Sequence, residues 1–511
     1  MTETKRRRKI MKRQAALLSA ATMAMSMFAG MPTAAMADKS DVVTINWYRQ
    51  AWHSNEDEKV VEAAINEYIE PLIGVNVNVL NASETTELSL ALAAGDDVDL
   101  WWEASWSQMN NLIAGNSAYD LTEVIDDYPA LKESIPETVW DACKQNGKLW
   151  YIPIYKESGS GTGVCVPTSV VEKYGWDMST VKSTKDIEPM LEDLKNDGIE
   201  YPFVINNDNF VGHNKDEFAT LATLSTSKPI AVVRRDDPTK VLSIFEVPEY
   251  QEYLEMVHRW FDNGYINESE ATAGHGMTAA DFETGQFAFS GWSMVPDSEA
   301  NASNRYGTDI QVIQTSKIYA ETDSAAGSVY MVNGKTEKLD AVMKFVELLN
   351  TDQTLADLAV YGIEGKHYNL VDGRVEMIEG SGYSYPGAWI VCNVTTPTLM
   401  VGESENKAEE YDNFNKNMEI SVSNGFRYNN ANVQAEVTAL EGVMAEYAPL
   451  MDRGVYDPEE YFSVYKDAME GAGLGTVIED IQAQWDKFLA QQEEEVETEE
   501  VETEVESTTA E

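Results

Sequence analysis

The sequence predicts an α/β protein of more than one domain, and three observations carry that expectation. Strand and helix periodicities alternate through residues 43–102 in the order β-α-β-α-β, which builds a parallel sheet with helices on its faces. The alternation restarts near Gly163. The chain has 511 residues, whereas one core usually serves about 100–200, and its 43% hydrophobic content can fill more than one.

The first 37 residues read as an export signal. Lys5–Lys9 with Lys12 and Arg13 form a basic n-region, Ala15–Met31 is an apolar stretch, and Ala35-Met36-Ala37 is a small-x-small cleavage site before Asp38. The run is shorter and richer in alanine than the ~20 strongly apolar residues of a retained span. Removing residues 1–37 takes away seven basic residues and one acidic, which moves the net charge from −50 to −56. Such acidity argues against nucleic acid or anionic lipid as a partner, because both need Lys and Arg to neutralise phosphates. The expectation is an exported, soluble protein. No cysteine stands directly after the cleavage site, so the usual acylation site of a bacterial lipoprotein is missing and tethering to the surface is open.

After the signal, Val43, Ile45 and Trp47 alternate as a strand, and Val60, Val61, Ala64, Ile65, Tyr68, Ile69 and Leu72 recur at helical spacing. Val75, Val77 and Val79 alternate again, Leu88 to Ala94 is helical up to Gly95, and Val98 to Trp102 is a short apolar strand. Residues 153–163, rich in Gly, Pro and Ser, read as a crossover between lobes. Beyond it, Gly163–Val166 and Tyr201–Ile205 are strands around a helix at Asp186–Leu194, and Pro248–Phe261 is a longer helix. A short helix from Thr278, strands at Gln286–Trp292 and Ser328–Val332, and a helix over Lys335–Leu349 follow. Val433–Leu489 reads as three helices, broken near Asp457-Pro458 and at Gly471–Gly475. Glu493–Glu511 carries ten Glu and no basic residue, so like-charge repulsion predicts a disordered tail.

The chemistry-bearing residues point away from catalysis. The five histidines are scattered without a paired metal-ligand spacing, and neither GxSxG nor GxxxxGK[ST] occurs. The segment from Asn206 vaguely resembles a calcium loop, but Val211 stands where the sharp turn demands glycine. Cys143, Cys165 and Cys392 form no CxxC pair and read as small buried residues, although one disulfide among them stays open. Glu103, flanked by Trp102 and Trp106, is the one carboxylate in a setting a glycosidase could use, yet hydrolysis needs a second at defined separation.

Aromatic placement says more. In open α/β sheets, ligands sit beyond the carboxyl ends of the strands. Three such loops, 48–54, 82–85 and 103–107, present Trp52, His53, Glu84, Glu103 and Trp106. Flat aromatic faces cover the C–H side of a sugar ring, while carboxylates accept bonds from its hydroxyls. Trp47, inside a strand, reads as core.

Several runs resemble the family-1 extracellular solute-binding proteins of ABC transporters, particularly a carbohydrate-associated Gram-positive group with an extra C-terminal region. They are DFETGQFAF from Asp281, GKTEKLDAVMKFVELLN from Gly334, YGIEGKHY from Tyr361, GFRY from Gly425, NVQAEV from Asn432, YDPE from Tyr456 and AGL from Ala472. The resemblance spans roughly residues 41–490 and rests on the order of the runs. It implies a two-lobed, periplasmic-binding-protein-like fold with discontinuous lobes, hinge crossings near Tyr155, Ala273 and Asp323, and a helical C-terminal region. The expected division is 1–37 signal, 38–155 with 274–322 lobe 1, 156–273 with 323–395 lobe 2, 396–492 the C-terminal region and 493–511 the tail. The implied function is capture of a carbohydrate, an oligosaccharide, for an ABC permease by a monomer outside the cell, without enzyme activity, cofactor or metal. Tyr155 at the hinge, Trp292 and Trp389 join the candidate ligand contacts. The alternatives are the same fold on a peptide or other non-sugar solute, a secreted glycoside-active enzyme, and an adhesion or scaffold protein.

Overall fold

A computed structural model describes residues 42–50, 56–82, 85–145, 147–204, 210–224, 228–266, 287–383 and 387–509. In the first lobe, β1 (Val43–Gln50), β2 (Val75–Ala82), β3 (Leu100–Glu103) and β4 (Ile152–Pro153) belong to one sheet, with β1 parallel to both β2 and β3. Alternation buries Ile45 and Trp47 on β1 and Val75, Val77 and Val79 on β2. The helix Glu58–Ile73 turns Val61, Ile65 and Ile69 onto this sheet and ends at Gly74, whose φ of 67° closes the turn. Trp47 is core, edge-on to Phe345 at 5.1 Å.

The second lobe begins with β5 (Thr162–Pro167) and β6 (Tyr201–Val204), adds an antiparallel set β7 (Phe218–Thr223), β8 (Pro229–Arg234) and β9 (Leu242–Ser243), and continues with β10 (Phe287–Ser293) and β11 (Ile310–Gln314). The chain then passes through β12 (Tyr319–Ala320) and returns to the first sheet as β13 (Val329–Val332) between β3 and β4. A hairpin of β14 (Tyr368–Val371) and β15 (Arg374–Met377) and the helix Lys407–Asn417 follow before β16 (Glu419–Ile420).

This path corrects the expected division of the lobes. Residues 287–322, assigned to lobe 1, lie in or lead out of lobe 2, because β10 pairs with β5 at Gly291–Val164 and with β6 at Phe289–Phe203. Residues 323–395, assigned to lobe 2, lead back into lobe 1, because β13 pairs with β3 at Val329–Glu103 and Tyr383, Ile390 and Val391 join the first core. Ala273, the expected second crossing, lies outside the described residues; Ile266 before it and Phe287 after it both pair within lobe 2. The third crossing is β16, which pairs with β12, while Ser160 of the first crossing bridges Tyr319. The three crossing segments thus run side by side at the hinge, two of them as strands.

The region expected as one C-terminal unit is also divided. Tyr411 packs in the first core, whereas Phe426 and the helices Gln434–Met451, Pro458–Gly471 and Leu474–Thr509 pack on the second lobe. The last helix carries the acidic tail as far as Thr509 in place of the expected disorder. Val477, Ile481 and Trp485 anchor its start in the core, and extending a formed helix adds a hydrogen bond per residue in a glutamate-rich stretch of good propensity. The three cysteines are buried and form no disulfide, as expected of small core residues.

Candidate functional site

The strand-end loop after β3 lies beside the second crossing. Gly327 and Ser328 come just before Val329, the residue opposite Glu103. Glu103 itself is buried, and its carboxylate accepts bonds from Ala104 N at 3.0 Å and Gln108 N at 3.3 Å, with Ser107 adding a third. Burial pushes its pKa up. The carboxylate therefore braces its own loop, which corrects its expected role as a ligand contact.

That brace holds Trp106 at the apex of the loop, where it is 52% exposed. Its Nε1 donates to Gly327 O at 2.9 Å, and its ring leans on Trp102 at 5.7 Å. Trp102 is buried and donates to the Ser328 hydroxyl, which in turn donates to Trp389 O. Half-buried Trp389 meets Trp102 edge-on at 5.9 Å. Two of the expected residues, Trp106 and Trp389, are thereby brought together around a third indole, Trp102, which the sequence marks as a strand end and a flank of Glu103 but not as a ligand contact. That position was the available clue.

The remaining candidates fall elsewhere. Tyr155 is buried, and its hydroxyl donates to Asp412 Oδ1 at 2.6 Å, tying the first crossing to the helix Lys407–Asn417. Burial and Asp412 raise its pKa well above the usual tyrosine value. Trp292 lies in lobe 2 on β10, paired with Gly163 and edge-on to Tyr306 at 6.1 Å, so it packs against its own lobe's helix Ser298–Tyr306. Trp52, His53 and Glu84 lie outside the described residues. Lys156, which was not singled out, lies beside Gly327: a methyl on that glycine would stand 3.4 Å from its Nζ. Lys156 pairs with Glu157.

Among the described residues, no group of three or more His, Cys, Asp or Glu is placed to hold a metal ion, and no helix is long and apolar enough to cross a membrane. A cavity of about 310 Å³ in lobe 2, lined by Val170, Leu194, Phe287 and Tyr306 among others, contains none of the expected contacts.

Residues 63–363 match the family described as bacterial extracellular solute-binding proteins. The chain belongs to that family. Residues 422–490 of this solute-binding protein match a domain of unknown function, which covers most of the helices packed on lobe 2. It is similar to a carbohydrate ABC transporter substrate-binding protein of Streptococcus pneumoniae serotype 4, with 23% identity over 467 residues, 89% of this chain and 92% of that one. Among solved structures, it resembles the N-glycan transport solute binding protein NgtS of S. pneumoniae in complex with Man1GlcNAc (21% identity, 88% of this chain and all of the other, TM-score 0.75). It also resembles the substrate binding protein FusA of S. pneumoniae in complex with kestose (16% identity, 88% and 100% coverage, TM-score 0.56). These likenesses bear out the two-lobed, periplasmic-binding-protein-like fold. The family and these relatives are substrate-binding proteins by name rather than enzymes.

Proposed function

We propose that this solute-binding protein captures a carbohydrate, an oligosaccharide, between its lobes outside the cell and delivers it to the membrane permease of an ABC importer. The observation that carries the reading is the cluster of Trp102, Trp106 and Trp389 beside the hinge. Trp106 leaves half its surface open there, and an indole face suits the C–H side of a pyranose ring. The names of the S. pneumoniae relatives support sugar as the ligand class. In this reading the protein acts as a monomer, leaves the cell by way of residues 1–37, and does not turn over its ligand. The lobes close about the three crossings as hinge segments.

Calorimetric titration against oligosaccharides and peptides tests the proposal. Trp106→Ala should weaken sugar binding by about tenfold to a hundredfold, the value of burying a large apolar side chain at roughly 1.5–3 kcal/mol. The ligand-free protein should melt as before, because Trp106 is exposed. Binding of peptides in place of sugars would move the function to the non-sugar alternative.

A further inference from the structure

The first crossing has spent most of its polar groups on structure. Lys156 O accepts from Asn415 Nδ2 at 2.9 Å, Ser158 N donates to Asn415 Oδ1 at 2.7 Å, and Tyr155 is bonded to Asp412. What this segment leaves at the hinge floor is the ion pair of Lys156 and Glu157, whose side chains are 13% and 15% exposed. The ammonium lies against Gly327, the same residue whose carbonyl holds the Trp106 indole. An apolar face and a paired polar group therefore flank one glycine.

The pair is chemically specific. An ammonium has three donors, and one bond to Glu157 leaves others for hydroxyl oxygens. The carboxylate keeps lone pairs for hydroxyl protons. A ligand rich in hydroxyls can use both halves without disturbing the pair. A ligand carboxylate cannot: it can reach the remaining Lys156 donors only by lying beside the like charge of Glu157 in a partly buried site. The field of a chain with net charge −50 adds to that repulsion.

We infer that Glu157, by occupying Lys156 beside Trp106, makes the cleft select uncharged glycans over uronate-containing ones. The inference rests on the carbohydrate reading above and adds the class of sugar. Glu157 acts as the filter, and Lys156 as the donor to hydroxyls.

The test compares wild type, Glu157→Gln and Lys156→Met by calorimetric titration with mannotetraose, cellotetraose and maltotetraose as neutral probes and tetragalacturonate as the acidic probe. Wild type should bind at least one neutral probe, and the acidic one at least about tenfold more weakly. Glu157→Gln should release Lys156 and raise affinity for tetragalacturonate by about tenfold or more, while the best neutral probe loses only a few-fold. Lys156→Met should weaken the neutral probe without any gain for the acidic one. The readout is the neutral-to-acidic ratio, which partial misfolding cannot invert, and thermal melts check each variant. An unchanged ratio in Glu157→Gln, an unchanged neutral affinity in Lys156→Met, or a wild type that prefers the uronate would each overturn the inference. A wild type that binds none of the probes would instead overturn the carbohydrate reading on which it rests.

Discussion

In the first lobe an ion pair is sealed inside the core and the tryptophans gather at the rim, whereas in the second lobe the buried charges lie at the hinge and the rim tryptophan packs on its own helix. Arg49 and Glu58 meet at 3.1 Å with side chains 3% and 5% exposed, and Arg49 also donates to the Tyr383 hydroxyl and Ala359 O. All of those partners belong to lobe 1. Arg235 of lobe 2 reaches instead to Glu321 at 2.8 Å and Ser421 at 2.9 Å, and its guanidinium covers the Tyr319 ring at 3.6 Å. Those three residues lie in the second and third crossings. Lys215 adds a contact to Glu321 at 3.4 Å. The contrast separates two uses of buried charge. In lobe 1 it locks the loop end of β1 to a helix start and to the returning chain, which suits a rigid platform for the indoles. In lobe 2 it grips the strands on which the lobes turn.

The largest expected effect breaks the platform. Glu58→Ala leaves the Arg49 guanidinium buried without its carboxylate, which costs about 3–5 kcal/mol. Calorimetric unfolding should show the first lobe melting earlier while the second holds. Trp102→Ala belongs to the same class, since deleting a buried indole costs about 3–5 kcal/mol through the cavity left behind. Its loss should lower the ligand-free melt, in contrast to Trp106→Ala. If both variants leave the melt intact, the division into buried platform and exposed contact fails.

A middle-sized effect is expected at the hinge. Glu321→Gln removes a charge but keeps its shape, and Arg235 retains Ser421 and Lys215 O as partners, so the loss should be nearer 1.5–3 kcal/mol. Burial works against the Glu321 carboxylate, yet Lys215 and Arg235 together hold its pKa below the ordinary value. A depressed pKa means that its contribution is present above the unfolded value near 4.3 and is lost as pH falls through the folded one. Stability of wild type should therefore drop in that acid window more than stability of Glu321→Gln. Parallel melts between pH 6 and pH 3 measure the difference.

The same contrast explains how far the sequence could be read. The parallel half of lobe 1 was legible because each element announces itself locally: alternating Val75, Val77 and Val79, the helical recurrence of Val61, Ile65 and Ile69, and the glycine at 74. The lobe assignments after residue 273 were not legible. Phe287 and Phe289 mark a strand, but its neighbours are Val164 and Phe203, more than 80 residues away, and no local pattern encodes that pairing. The antiparallel strands β7 and β8, six residues each, were not read from the sequence, and the two-residue β9, β12 and β16 carry no period. At the site, strand-end logic found Trp106, but it could not tell that Glu103 turns inward to brace the loop.

The smallest effect concerns a contact between the lobes themselves. Asp297 opens the lobe 2 helix Ser298–Tyr306, and its carboxyl group meets Glu410 on the lobe 1 helix Lys407–Asn417. Burial, with the Glu410 bond and charge behind it, pushes the Asp297 pKa up to about 6, while the same bond and Ser404 hold Glu410 down, so one shared proton resides on Asp297. The other groups facing the pair are Glu403, which is neutralised by Lys407 at 2.6 Å, the Ser404 N–H and the Tyr411 ring. A raised carboxyl pKa penalises the contact as pH rises: the penalty is absent below about 3.9, grows through about 6 and is constant above it. The lobes should therefore hold this arrangement at pH 4.5 and loosen by pH 7.5. Small-angle scattering of ligand-free protein at the two values measures it as a change in radius of gyration. Asp297→Asn keeps a donor toward Glu410 without the titration, so its profile should match the acid form at both pH values. A wild-type profile that does not change, or a variant that changes as wild type does, would place the control of lobe opening in the hinge strands alone.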